Sequence, residues 1–180
     1  MCIMNQPKST QDPTVNKVRN AMIHRGLWMG LILKEAKEKG LDWEQLGHSA
    51  IFKAGCIHGD AIKERMDVPD SMVSFANTFF SEDIKKVFEI EVKRLTEQVL
   101  SLEYGHCPLV SAWQQLGIEG EMLEKLCDIA MSGDRGIKSR FGEFEFVLGR
   151  TIAQGHEVCE VRFIRKPPSP TTPKGGSNAE

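Results

Sequence analysis

The amino-acid sequence predicts an α+β fold: a helical N-terminal part followed by ββ-αα-ββ, with a four-stranded antiparallel sheet packed on helices. Three observations predict it. Apolar residues recur at helical spacing through most of the first 80 positions. From 87 to 104, and again from 143 to 165, apolar and polar residues alternate with a period of two. Between these alternating regions lie helical patterns divided by Gly117. The chain then reads as a flexible N-terminal tail at 1–12, one α+β domain at 13–166 with a helical lead-in at 13–80, and a disordered tail at 167–180.

Residues 13 to 39 read as one long helix. Val18, Met22, Arg25, Ile32 and Ala36 recur at helical spacing, and Gly40 is a natural stop. A second helix starts at Asp42, with Gln45 as its capping-box partner, and runs towards Met66. Gly47, Gly55 and Gly59 are points where it can break. Pro69-Asp70 opens a short helix to about Phe79. From 87 to 95 the chain alternates Val87, Glu89, Glu91 and Lys93 against Phe88, Ile90, Val92 and Arg94, the pattern of a half-buried strand. Residues 97 to 104 pair with it as a hairpin, with Leu100, Leu102 and Tyr104 on one face. Residues 108 to 116 form a helix closed by Gly117, and 119 to 131 a stronger one. Gly133-Asp134-Arg135-Gly136 interrupts that helix before a last turn at 137 to 141. Residues 143 to 152 and 157 to 165 read as the second strand pair, joined by a turn at Gln154-Gly155-His156.

Composition excludes several function classes. A chain of 180 residues with 41% hydrophobic and 27% charged residues and a net charge of -2 lacks the basic excess of a nucleic-acid binder. Its longest apolar run, 27 to 33, is interrupted by Gly30 and too short to span a membrane. The N-terminus lacks a basic stretch followed by a long apolar run, so the expected compartment is the cytoplasm, where thiols stay reduced. Five cysteines, an odd number without a Cys-x-x-Cys pair, argue against a disulfide framework. The stripe of Trp28, Met29, Ile32 and Leu33 calls for a partner surface, which makes a homo-oligomer through the N-terminal helices an expectation.

One ordered set of residues stands out. Cys107-Pro108-Leu109 is followed by Trp113, Leu116-Gly117, Leu126-Cys127-Asp128, Gly133-Asp134, Thr151-Ile152-Ala153-Gln154-Gly155 and Cys159. Over about residues 85–165 this set resembles the L-2-amino-thiazoline-4-carboxylic acid hydrolase family. Its Gly-x-x-x-Cys ending is also similar to four-vinyl-reductase-like small-molecule-binding domains. The first resemblance implies a small-molecule hydrolase that opens a cyclic amidine, a thiazoline ring, to a carbamoyl-cysteine type product, with no cofactor.

That chemistry needs a nucleophile, either an activated water or a thiolate, a carboxylate for the amidinium, a proton donor, and a cation for the substrate carboxylate. Cys107 is the nucleophile candidate, because a helix beginning there would favour its thiolate. His106 is its neighbour in sequence, although consecutive extended residues point to opposite faces. Asp134 and Asp128 are the candidate partners of the amidinium or of a water. Arg135, Arg150 and Arg140 are candidate clamps for a carboxylate. Cys127, Cys159 and Thr151 are candidate substrate contacts, the two thiols being equally at home in a core. Two other readings use the same residues. Cys107, Cys127, Cys159 and His106 are a soft-ligand set for zinc or iron, at spacings unlike those of a compact zinc module. A non-catalytic ligand-binding protein of the same fold would line a pocket with the same thiols.

Overall fold

The structure, a computed structural model, describes residues 5–167. Most of the expected C-terminal tail, 168–180, and the first four residues of the N-terminal one lie outside the described residues. The described chain forms six α-helices and four strands, an α+β architecture with its helical part first.

Helix α1 (Pro13–Glu38) starts where Asp12 accepts the amides of Thr14 at 2.9 Å and Val15 at 3.2 Å. Helix α2 (Trp43–Arg65) is capped by Asp42, which accepts from Gln45 N at 3.0 Å. It does not break at its glycines. Helix α6 (Gly120–Ser139) likewise runs straight through Gly133 and Gly136, where an interruption was expected. Both corrections have one cause. The two helices cross with backbone against backbone: a Cβ on Gly55 would lie 2.1 Å from Gly133 O, and one on Gly136 2.2 Å from Phe52 O. A glycine inside a helix costs about 1 kcal/mol relative to alanine. Here close packing along the crossing offsets that local cost, so the residues that look like breakers hold α2 to α6.

Helix α3 (Met72–Phe79) and helix α4 (Glu82–Phe88) lead into the sheet. The strand expected from residue 87 begins only at 90, because α4 occupies the start of the alternating run. Ser81 caps α4, Glu82 and Asp83 sit in its first turn, and Lys85 and Lys86 sit in its last, which is the charge order the helix dipole favours. Glu89, at φ 52°, ends it in the left-handed region. Strands β1 (Ile90–Leu95), β2 (Val99–Tyr104), β3 (Phe144–Leu148) and β4 (Cys159–Arg165) form one antiparallel sheet in the order β1-β2-β4-β3. The expected third strand is shorter than the alternating run of 143 to 152: its end is taken by a 3-10 turn, Ile152–Gln154, closed by a reciprocal capping box between Thr151 and Gln154.

Helix α5 (Pro108–Gln115) follows β2 directly and packs under α1. Gly26 and Gly30 of α1 meet Ala112, Leu109, Trp113 and Leu116, and Trp113 Nε1 donates to Gly26 O at 3.0 Å. Two apolar cores result. One joins the helices around Trp113, Leu109, Leu123, Leu126 and Ile129. The other lies between the sheet and the helices and is aromatic: Phe75 packs against Phe141, Phe144 and Phe163. Cys107, Cys127 and Cys159 belong to the first core, and Tyr104 borders the second. Tyr104 and Cys159 are direct partners across β2 and β4, so the seam between the cores runs through them.

Candidate functional site

The seam is a strand-to-helix junction. β2 ends at Tyr104, Gly105 and His106 turn the chain, and Cys107 stands as the N-cap of α5 with an extended backbone. Proline at the first helical position suits that start, since its ring pre-sets φ and the amide it lacks would be unpaired there. The amides of Leu109 and Val110 face Cys107 Sγ and favour its thiolate, without closing a capping hydrogen bond. Burial outweighs them and leaves the thiol above its ordinary range.

Four more groups share the site. Cys127, on α6, is 7% exposed. Burial, then the neighbouring charge of Cys107, pushes its thiol up to about 12, while the Thr151 hydroxyl opposes the shift. Cys159, at the start of β4, accepts the Ile152 amide at 3.2 Å and is pushed up by burial and then by Cys107. The Tyr104 hydroxyl is held well above its ordinary value by burial and then by the charges of Asp134, Cys159 and Cys107, so it keeps its proton. Asp134 lies seven residues, two helical turns, beyond Cys127 on α6, and so on the same stripe. Burial pushes its carboxyl up to about 6, against the opposing charges of Arg135 and Arg25. Each group lies within the field of at least one other, which brings Cys107, Cys127, Cys159, Tyr104 and Asp134 together from four elements. Thr151 is buried beside them, with its hydroxyl 3.1 Å from Gln154 Oε1.

The remaining candidates lie elsewhere. His106 is 1% exposed, and its neighbours are Asn5, Arg19 and Glu89 rather than the thiols. Its Nδ1 meets the Asn5 carbonyl at 3.0 Å, so that nitrogen carries the proton. Burial, then the charge of Arg19, holds the ring below its ordinary pKa and neutral. Asp128 is exposed and engaged by Arg135, whose Nη1 donates to its backbone carbonyl at 2.9 Å. Arg150 is exposed and its Nε donates to Glu160 Oε1 at 3.0 Å. Arg140 holds Asp60 through Nε at 2.6 Å and Nη2 at 2.8 Å. All three arginines are thus engaged by acids of the protein itself.

A cleft of about 330 Å³ opens onto the edge of the site, with Cys127, Thr151, Asp128, His48, Lys125 and Glu44 in its wall. His48 Nδ1 lies 2.8 Å from Ser132 Oγ, and its Nε2 is 3.7 Å from Asp128 Oδ2. Lys125 is neutralised by Glu44 at 2.8 Å and Glu121 at 3.0 Å. Sequence reasoning missed three residues here. Tyr104 carries a legible signal, because it continues the inward row of Leu100 and Leu102 up to Cys107. His48 has none beyond its position on α2. Asn5, which holds the Cys107 peptide, has none either, since its partners lie 102 residues away.

Among the described residues, no group of three or more His, Cys, Asp or Glu side chains is arranged to hold a metal ion, and no helix is long and apolar enough to cross a membrane. No curated protein matches the chain significantly. The family model of the L-2-amino-thiazoline-4-carboxylic acid hydrolases matches residues 19–163, which takes in most of α1, both helices of the glycine crossing and every residue of the thiol site, and the chain belongs to that family.

Proposed function

We propose that the protein hydrolyses a cyclic amidine of the 2-amino-thiazoline carboxylate type, with Cys107 as nucleophile. The single observation that carries this reading is the difference among three neighbouring thiols. All three thiols are raised by burial, but Cys107 alone stands at a helix N-terminus, where the amides of Leu109 and Val110 oppose the shift and favour the thiolate as it forms. In this reading Cys107 gives its proton to the ring nitrogen of the neutral amidine, and Sγ attacks the carbon between the ring sulfur and nitrogen. The ring carbon–sulfur bond breaks and the sulfur takes a proton from the Tyr104 hydroxyl. Water then attacks the same carbon, which becomes a urea carbonyl as one of the water's protons returns to Tyr104 and the other to Cys107, which leaves as the thiol. Asp134 ionises near pH 6 and pairs with the amidinium. Thr151, Cys127 and Cys159 line the ring. The substrate carboxylate falls to Arg25, whose charge acts on both Asp134 and His58 and which forms no ion pair among the described residues.

A second reading, ligand binding without turnover, is favoured by the burial of all three thiols, which pushes each of them, Cys107 included, above its ordinary range. Of the expected stripe Leu33 is buried in the protein's own core with Met29 packed against it, so the same proposal puts a homo-oligomer contact on the exposed Trp28 and Ile32 with neighbouring Leu31, to be read by sizing the protein in solution. The experiment that decides between catalysis and binding is incubation of purified protein with 2-amino-thiazoline-4-carboxylate, following disappearance of the ring and appearance of the product thiol. Turnover by the wild type and loss of more than about 100-fold in a folded Cys107→Ser variant are expected. Substrate that binds and is not consumed overturns the hydrolase reading.

A further inference from the structure

α5 begins at a residue poorly suited to cap it. Helix N-caps favour Ser, Thr, Asp or Asn, whose side-chain oxygen takes up an orphan amide. Cys107 occupies that position and makes no such hydrogen bond. The missing polar side chain arrives from the other end of the chain. Asn5 is 3% exposed and lies against the junction. Its Oδ1 accepts the Cys107 amide at 2.9 Å, and its Nδ2 donates to the Cys107 carbonyl at 2.8 Å and to Ser111 Oγ at 3.0 Å. Its own carbonyl accepts from His106 Nδ1 at 3.0 Å. A flipped amide would set N–H against N–H at Cys107, so only this orientation satisfies every group.

We propose that Asn5 is a positioning residue for Cys107: it grips both polar groups of the Cys107 backbone and holds Sγ over the first amides of α5. The chain beyond it is tied down as well. Ser9 N donates to Glu89 Oε1 at 3.0 Å, and Arg19, itself buried, donates from Nη1 to Ser9 O at 2.9 Å. Residues 5 to 9 are thus a strap fastened at both ends across the back of the thiol site. His106 acts through this strap, as a donor that seats Asn5. Asn5 touches no reacting atom; its effect is on where the thiol points and how readily it ionises.

This inference rests on Cys107 being the reactive thiol of the proposed function, and its test needs no substrate. Alkylation by iodoacetamide is followed across pH, with peptide mass spectrometry resolving each cysteine. In Asn5→Ala the pH midpoint of Cys107 alkylation is expected to rise by about 0.5–1, as Sγ drifts from the helix amides, while the rates at Cys127 and Cys159 stay within about twofold. Ser111→Ala, which removes one of the three side-chain contacts of Asn5, gives a smaller rise, and Gln6→Ala gives none. An unchanged Cys107 midpoint in folded Asn5→Ala overturns the proposal. So does a parallel change at all three thiols, which marks general loosening. If Asn5→Ala fails to fold, the Ser111→Ala midpoint decides in the same two directions. Failure of the hydrolase reading shows separately, as wild-type protein that leaves the thiazoline intact.

Discussion

Replacing Asp134 by asparagine should make the protein more stable while abolishing its proposed activity. The wild-type carboxyl lies within the field of Tyr104, and burial pushes it up to about 6 from an ordinary value near 3.8. The folded state therefore prefers the proton. Below about pH 3 folded and unfolded chains both carry it, and the penalty is negligible. As pH rises the unfolded chain ionises first, and stability is lost until the folded carboxyl ionises too, near pH 6. The full gap corresponds to roughly 3 kcal/mol at high pH. Partial exposure of the residue and solvent screening reduce it, so about 1–3 kcal/mol is expected. The asparagine side chain is an uncharged amide, with no charge to desolvate. Urea unfolding at pH 4.5 and pH 8 measures the effect: the advantage of Asp134→Asn should be larger at pH 8 by about 1–2 kcal/mol, on the order of half a molar to one molar in midpoint. The other titrating groups are common to both proteins and cancel in the comparison. An advantage equal at the two pH values, or an asparagine variant weaker at pH 8, refutes the account of a desolvated carboxylate. Greater stability together with lost turnover is the signature of a site residue held against its own preference.

Other outcomes follow from the same geometry. Turnover in the wild type should rise with pH through about 6, as Asp134 ionises, and a pH–rate profile flat across that range removes Asp134 from amidinium binding. Gly55→Ala should cost about 3 kcal/mol or more in thermal unfolding, because its methyl would meet the Gly133 carbonyl at 2.1 Å, and backbone cannot step aside. Gly142→Ala, with nothing within 4 Å, should stay within about 0.5 kcal/mol of wild type in the same assay. Arg150→Ala should keep turnover within about twofold, since its guanidinium is engaged by Glu160; a large rise in KM would return it to the substrate.

The strand pairs were legible because alternation is a local record of one buried face, and Leu100, Leu102 and Tyr104 of β2 carry it plainly. The beginning of the first strand was not, because Val87 and Glu89 fit the same alternation while α4, capped by Ser81, claims them. The glycines of α2 and α6 misled for a different reason. Their helical cost is written in the sequence, whereas the offsetting contact between Gly55 and Gly133 exists only once the chain has folded. At the site, the order of Cys107, Cys127, Asp134 and Cys159 was visible and their meeting was not. Adjacency made His106 look like the partner of Cys107, and extended backbone turned it to the opposite side. Asn5 shows the limit most clearly: a side chain that grips the start of α5 from a hundred residues away leaves no trace near that helix.

The glycine crossing has a consequence for chemistry as well as for packing. Gly133 immediately precedes Asp134, so the depth at which α6 rests on α2 also sets how far the Asp134 carboxyl is withdrawn from water. The crossing works as a depth stop for an acid that it never touches. A methyl group added at Gly55 of α2 would lift that stop and return Asp134 towards an ordinary aspartate. Any variant of Gly55 that still folded is expected to shift the pH dependence of the proposed turnover to lower pH.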